Sequence, residues 1–467
     1  MGKAPDMSPI NTTARVLIVG GGYVGMYTAL RLQQKLRREL KRGDVEVTVV
    51  DPQSYMTYQP FLPEAAAGNL EPRHVVAPLR QVLPRVRVLN GRVTRIDHGR
   101  HRALVQLVGA ELTDDGTREL SYDLLVVAAG SISRTLPIPG LAEHGIGFKT
   151  VGEAIYLRNH VLAQLDIAES TEDAALKRRA LTFVFVGGGF AGVEALAELE
   201  DMARSATKYY PHLRADEMRW VLVEATDHIL PEVGRDMGKW TVEALRRRGI
   251  DVKLETLLKS AEDGHIELSD GEAFDAGTLV WTAGVKPQPV VRESDLPVDD
   301  KGRLKATAEL TLEGLHDAFA AGDNAAVPDL TKPGEFTAPN AQHAVRQAKV
   351  LGDNIVATLR GKPLKPYRHA YAGSVASLGL HKGVAQVYGV KARGWIAWFL
   401  HRTYHLSRVP TFNRKVRVVL DWTLALFFRR EIVSLGALQR PHEEFQLATA
   451  GQRRRDQQSQ DRKSLSK

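Results

Sequence analysis

The chain carries one supersecondary signature twice. The apolar run Arg15-Val16-Leu17-Ile18-Val19 passes into Gly20-Gly21-Gly22-Tyr23-Val24-Gly25, and Phe183-Val184-Phe185-Val186 passes into Gly187-Gly188-Gly189-Phe190-Ala191-Gly192-Val193-Glu194. Each copy reads as a buried parallel strand, a G-x-G-x-x-G turn and an alanine- and leucine-rich helix. Gly20 and Gly187 make the tight turn, Gly22 and Gly189 let backbone N–H groups approach a pyrophosphate, and Gly25 and Gly192 let helix and strand pack closely. The helix N-terminus then faces the phosphates with its positive dipole end. An acid that can hydrogen-bond a ribose diol closes the next strand in both copies, Asp51 after Val45–Val50 and Glu224 after Trp220–Val223. Both lie beyond the usual spacing of about 20 residues, and the charged stretches 31–44 and 201–219 supply the extra length. The expected architecture is α/β, with two Rossmann-type dinucleotide-binding domains. Two dinucleotides in one chain imply electron transfer between them, and the economical pairing is a tightly held flavin with a visiting nicotinamide cofactor.

At 467 residues, with 43% hydrophobic and 25% charged residues, the chain can build two or three full cores. It contains no cysteine. That excludes disulfides, thiolate nucleophiles, Cys-ligated zinc and every dithiol relay used by flavoenzymes. No metal is assigned to the site. The net charge of +8 is uneven: residues 391–440 hold ten basic and two acidic side chains, and the first 390 residues are slightly acidic. The basic end calls for an anionic partner, membrane lipid or nucleic acid. Residues 1–13 lack the apolar core of a signal peptide, and no run reaches the ~18 apolar residues of a spanning helix. A membrane contact would therefore be peripheral.

Between the motifs, Tyr55–Glu64 is too proline-broken for a helix and too apolar for a plain surface loop, which suits a wall beside a flavin ring or simply a packed loop. Residues 86–97 and 102–108 alternate like a small antiparallel unit. Tyr122–Gly130 is a buried strand ending in small residues, where backbone approaches a cofactor at Gly130. Leu279-Val280-Trp281-Thr282-Ala283-Gly284 repeats that ending, as an internal duplication would. Asp323, after a strand and Gly322, is placed to accept from a sugar hydroxyl, or serves as an ordinary cap. The helix start at 338–348 offers polar residues to the same cofactor. In the last element Trp395, Trp398 and Phe399 keep helical spacing, as do Val416, Val419, Leu420, Leu424, Phe427 and Phe428, among Arg402, Arg408, Arg414, Lys415, Arg417, Arg429 and Arg430. Aromatic stripes with basic flanks suit helices lying in a headgroup layer; the rival is a core helix or dimer seam. Helical register disfavours nucleic acid, which takes no part in this reading. The expected boundaries are a disordered leader (1–13), a flavin domain in two parts (14–144 and 285–390), a nicotinamide domain (145–284), C-terminal membrane-associating helices (391–448) and a disordered tail (449–467).

The glycine motifs, together with Val280–Val285, Ala321-Gly322-Asp323, Ala341-Gln342, Gly373-Ser374-Val375-Ala376-Ser377-Leu378-Gly379 and the Trp-rich end, resemble the type II NADH dehydrogenases. These are single-subunit, non-proton-pumping NADH:quinone oxidoreductases, and the resemblance covers 15–438. It implies noncovalent FAD on the first glycine loop, Asp51 and Asp323, and NADH on the second loop, Glu224 and Gly284. It places Glu194 near nicotinamide and flavin, Gln342 at the flavin's pyrimidine edge and the quinone mouth, and the C-terminal helices as a monotopic anchor on the cytoplasmic side of the membrane. The family's Ala-Gln-x-x-x-Gln ends here in Arg346, with Gln347 beside it, which leaves room for an acceptor other than menaquinone or ubiquinone. A homodimer is expected. A soluble electron acceptor is the alternative to a membrane quinone, and a non-catalytic NADH sensor a third reading.

Overall fold

The computed structural model describes residues 13–109, 116–369, 373–428, 430–435 and Gln446. The expected leader up to residue 12, the tail from 449, Arg429 and residues 436–440 lie outside the described residues.

Two sheets, the first mixed and the second parallel, form the two cores. The first has seven strands in the spatial order Ala318–Ala320, Leu124–Val127, Ala14–Val19, Val45–Asp51, Arg87–Asp97, Arg102–Leu107 and Thr117–Ser121; the first five run parallel, and each of the last two pairs antiparallel with the strand before it. Val16–Val19 and Leu124–Val127 are buried on both faces, as parallel strands sandwiched between layers must be. The second sheet is wholly parallel, in the order Gly145–Gly147, Thr278–Trp281, Thr182–Val186, Arg219–Val223 and Ile250–Lys253. Phe183 and Trp220 stack in its core with centroids 4.3 Å apart, a pairing worth roughly 0.5–1.5 kcal/mol beyond burial. The strands expected at 86–97 and 102–108 do pair antiparallel, but the eleven residues of Arg87–Asp97 serve two partners. Arg87–Asn90 extend the parallel sheet beside Thr48–Asp51, and Gly91–Asp97 pair antiparallel with Arg102–Leu107, with a register shift between Val93 and Arg95 inside that second pairing.

The two sheets are joined by a two-stranded antiparallel ribbon, Ser131–Ser133 against Val285–Pro287. Gly130 (φ 67°) and Gly284 (φ 79°) begin the two crossings in left-handed conformations that suit glycine. A third sheet, Gly373–Ser377, Gly383–Val387 and Val390–Arg393, packs against the helix Phe190–Ala206 and the C-terminal helix Gly394–Arg408. The second C-terminal helix, Phe412–Phe427, starts at Thr411, whose hydroxyl accepts from Arg414 N.

Two expectations need correction. Tyr55–Glu64 is not helix-free: Leu62–Ala66 is a short helix with Pro63 in its first turn, where the missing N–H costs nothing. The C-terminal aromatics and cations do not share one outward face either. Of the expected stripe Trp398 turns inward, while Trp395, Phe399, Val416, Val419, Leu420, Leu424, Phe427 and Phe428 are exposed. Arg402 and Arg430 are buried against Glu64 and Asp201 rather than flanking a surface stripe.

Candidate functional site

Steric room explains each glycine. A Cβ on Gly20 (φ 104°) would meet Ala128 O at 2.3 Å, and one on Gly25 would meet Gly20 O at 1.8 Å. Gly187 and Gly192 repeat this against Thr282 Oγ1 at 2.7 Å and Gly187 O at 2.0 Å. Gly22 and Gly189 have nothing within 4 Å, so the space above them is open. Both are N-caps without a side-chain hydrogen bond, so the first-turn N–H groups of Tyr23–Lys35 and Phe190–Ala206 keep their donors for a ligand.

The acids do more than await a sugar. Asp51 Oδ2 accepts from Gly21 N at 2.6 Å and Oδ1 from Gln53 N at 2.6 Å. Burial pushes its pKa up, against the pull of those two N–H groups. Glu224 Oε2 accepts from Gly188 N at 2.6 Å, and Oε1 from Thr226 N at 2.8 Å and its hydroxyl at 2.9 Å. Each carboxylate therefore pins a glycine loop to the next strand and retains lone pairs for a diol.

One cleft of about 1460 Å³ gathers Gly22, Asp51, Gly130, Asp323, Gln342, Arg346, Gly189, Glu194 and Gly284 along its walls. Gly20, Gly25, Gly187 and Gly192 stand behind the loops, and Glu224 sits at the base of the second loop, outside the cleft lining. Asp323 Oδ2 accepts from Ser131 Oγ at 2.7 Å, and Lys149 Nζ donates to the same hydroxyl at 2.6 Å. Burial holds the Lys149 pKa below its ordinary value while Asp323 and Glu153 pull it up. Gln347, adjacent to Arg346, is buried and accepts from Gly322 N at 2.8 Å, which fixes the Asp323 turn. Gln342 donates to Gly373 O at 3.2 Å and lies 3.1 Å from His369 Nε2, and Arg346 donates to Gln342 O at 2.9 Å. The open space over Gly22, the free helix donors and the acids Asp51 and Asp323 on the cleft walls fit a dinucleotide such as FAD.

Behind Glu194 lies a buried polar network that the sequence did not single out. Glu194 Oε1 accepts from Ser377 N at 2.8 Å and lies 3.2 Å from His401 Nε2, off the line of a hydrogen bond. One turn on, Glu198 accepts from Ser377 Oγ at 2.7 Å and Asn69 Nδ2 at 3.0 Å; burial, then the nearby Glu64 charge, push its pKa up. Glu64 Oε2 accepts from Arg402 at 2.8 Å and Trp422 Nε1 at 2.8 Å, tying the cleft wall to both C-terminal helices. His405 lines the cleft 3.1 Å from Tyr58 OH, and burial, then the neighbouring His401, push its pKa down. The available signal was the i, i+4 repetition of Glu194/Glu198 and of His401/His405, which puts each pair on one helix face.

Residues 14–348 match the family described as Pyridine nucleotide-disulphide oxidoreductase. The chain is 28% identical over 431 residues to the type II NADH:quinone oxidoreductase Ndh of Mycobacterium tuberculosis, covering 89% of each chain. To the type II NADH:quinone oxidoreductase of Staphylococcus epidermidis it is 31% identical over 399 residues, 83% of this chain and 93% of that one. Among solved structures, NDH2 from Plasmodium falciparum in complex with NADH matches in fold with a TM-score of 0.82 at 17% identity, over 90% of this chain and all of that one. With two glycine loops opening on one cleft, and no cysteine to form the disulphide of the family's name, the chain belongs to the pyridine nucleotide-disulphide oxidoreductase family, among its type II NADH:quinone oxidoreductases.

Proposed function

We infer that the chain is an FAD-dependent NADH:quinone oxidoreductase. The observation that carries this reading is the single cleft, which has a glycine loop from each sheet on its walls and residues of the first C-terminal helix, Tyr404 and His405, at its other side. FAD, when bound, takes a hydride from NADH and returns two electrons to the quinone. Gly22, Asp51, Gly130 and Asp323 hold the flavin nucleotide. Gly189, Gly284 and Glu224 hold NADH and bring its nicotinamide against the flavin, since hydride transfer needs positioning more than acid–base groups. Glu194, enclosed and 3.2 Å from His401, is the carboxylate best placed to pass a proton toward the reduced quinone. Gln342 and Arg346 border the acceptor's entrance.

The exposed Trp395, Ile396, Phe399, Phe412, Leu420 and Phe427 support a surface that lies in the headgroup layer of a membrane's anionic cytoplasmic face. Among the described residues no helix is long and apolar enough to cross a membrane.

The test is anaerobic reduction of the FAD-loaded protein with NADH, followed by a menaquinone or ubiquinone analogue while flavin absorbance is recorded. Fast bleaching and fast recovery are expected; bleaching that quinone does not reverse would remove quinone as acceptor. Glu224→Ala addresses the nicotinamide side. Its carboxylate opposes a 2′-phosphate, so the variant should lose at least about tenfold of the NADH-over-NADPH preference in kcat/KM, and an unchanged ratio would remove Glu224 from the ribose site.

A further inference from the structure

At the edge of the seven-stranded sheet opposite the glycine loop, His98, His101 and Asp317 turn their ligand atoms toward one another. His98 Nε2 lies 3.2 Å from Asp317 Oδ1, His101 Nε2 lies 3.0 Å from Asp317 Oδ2, and the three ligand atoms fall within 4.8 Å of one another. We propose that these three side chains form a zinc site that fastens the turn 98–101 to the start of strand Ala318–Ala320.

The spacing carries the argument. A tetrahedral zinc with bonds of about 2.0–2.1 Å holds its ligand atoms roughly 3.4 Å apart; here the two imidazole nitrogens meet different oxygens of Asp317, and one ligand atom from each residue lies within 4.8 Å of the others, so the side chains have only to draw together to share one ion. The donor set, two imidazoles and one carboxylate, suits zinc, whereas calcium and magnesium call for oxygen alone. The rings are also pre-oriented. His101 adopts a left-handed backbone (φ 54°) that folds its ring back over His98, with centroids 5.2 Å apart and planes within 19°. Tyr122, itself buried, stacks on His101 and sets its hydroxyl 3.2 Å from His98 Nδ1. With Nδ1 donating to that hydroxyl, Nε2 would turn its lone pair to an ion held beside Asp317, the outer hydrogen bond that a metal-bound histidine needs. Asp295 accepts from the backbone N–H groups of His98 and Gly99 at 2.7 and 2.8 Å and braces the turn. His101 is half-exposed, which gives the ion a route in and a fourth position for water.

None of the three side chains lines the cleft, and the ion is assigned no part in electron transfer. It acts on the frame: Asp317 is followed directly by the strand that ends at Ala320 and leads to Asp323.

The experiment uses the full-length, FAD-loaded protein, stripped with a chelator and titrated with zinc chloride by calorimetry, with thermal unfolding recorded with and without zinc. One zinc per chain at micromolar or tighter affinity is expected, with a rise in Tm, since a ligand that binds only the folded state stabilises it. His101→Gln and Asp317→Asn, both at partly exposed positions, should each weaken binding at least ~tenfold and abolish the Tm rise. Flavin content and NADH oxidation should stay unchanged in both. Tyr122→Phe, which removes only the hydroxyl, should weaken zinc by ~10–100-fold. The proposal is overturned if the native protein takes up no saturable zinc, or if both ligand variants bind it as tightly as the native chain.

Discussion

Gly22→Asp should give a folded chain that purifies without flavin. A Cβ at this position meets nothing within 4 Å and the backbone φ is −69°, so the substitution strains neither loop nor helix. What it changes is charge: a carboxylate would stand where the first-turn N–H groups of Tyr23–Lys35 await a pyrophosphate. Like charges placed together in a partly enclosed site cost several kcal/mol, or ~100–1000-fold in affinity. The flavin-to-protein absorbance ratio should fall close to zero while the circular dichroism spectrum stays native. Gly189→Asp makes the same change at the second loop, and it should keep the flavin and lose the NADH reaction instead. The pair therefore separates the two nucleotide sites. If Gly22→Asp retained full flavin, the assignment of the first loop would be wrong.

Glu64→Ala should cost the fold about 3–5 kcal/mol, because it leaves Arg402 buried without its counter-charge. Glu64 is 1% exposed and Arg402 9%, so solvent can do little to rescue the guanidinium. Trp422 Nε1 would lose its acceptor as well. Urea unfolding of the FAD-loaded enzyme is the measurement, and the double variant Glu64→Leu with Arg402→Met is its control. Replacing a buried pair by apolar side chains of similar size is often nearly neutral, so the double variant should recover most of the loss. A single variant within ~0.5 kcal/mol of the native chain would mean that the pair does not hold the C-terminal helices to the body.

The parts of the site legible in the sequence are those whose chemistry is local. A tight turn, a close helix approach and an acid at a strand end are all written within a few dozen residues, so Gly20 to Asp51 and Gly187 to Glu224 could be read directly. The cleft's other walls were legible only as isolated polar residues at helix starts, Asp323 and Gln342. Glu64–Arg402 was not legible, because the partners are 338 residues apart and a lone arginine beside tryptophans looks the same whether it faces lipid or a buried carboxylate. Arg430 misled in the same way, through Asp201. Counting charges along the chain assumes that each one reaches solvent, and these two do not. Pro63 misled for a smaller reason: a proline breaks a helix interior but begins a helix readily. At Ala-Gln-x-x-x-Gln the expected glutamine is displaced by one position. Gln347 points inward to hold the Asp323 turn, and Arg346 takes the cleft-facing place.

The ribbon between the two sheets has a consequence for how such a chain could arise. Ser131 and Pro287 are direct cross-strand partners, separated by about 5 Å, a gap that one or two residues can bridge. All five strands of the second sheet lie between them in sequence. The flavin-side sheet could therefore be rethreaded past this point as though the intervening module were absent. The module built on the second sheet is a cassette with its two ends side by side, the geometry in which domain insertion is tolerated. A lineage could thus replace that cassette and leave the strand order and glycine loop of the first sheet untouched.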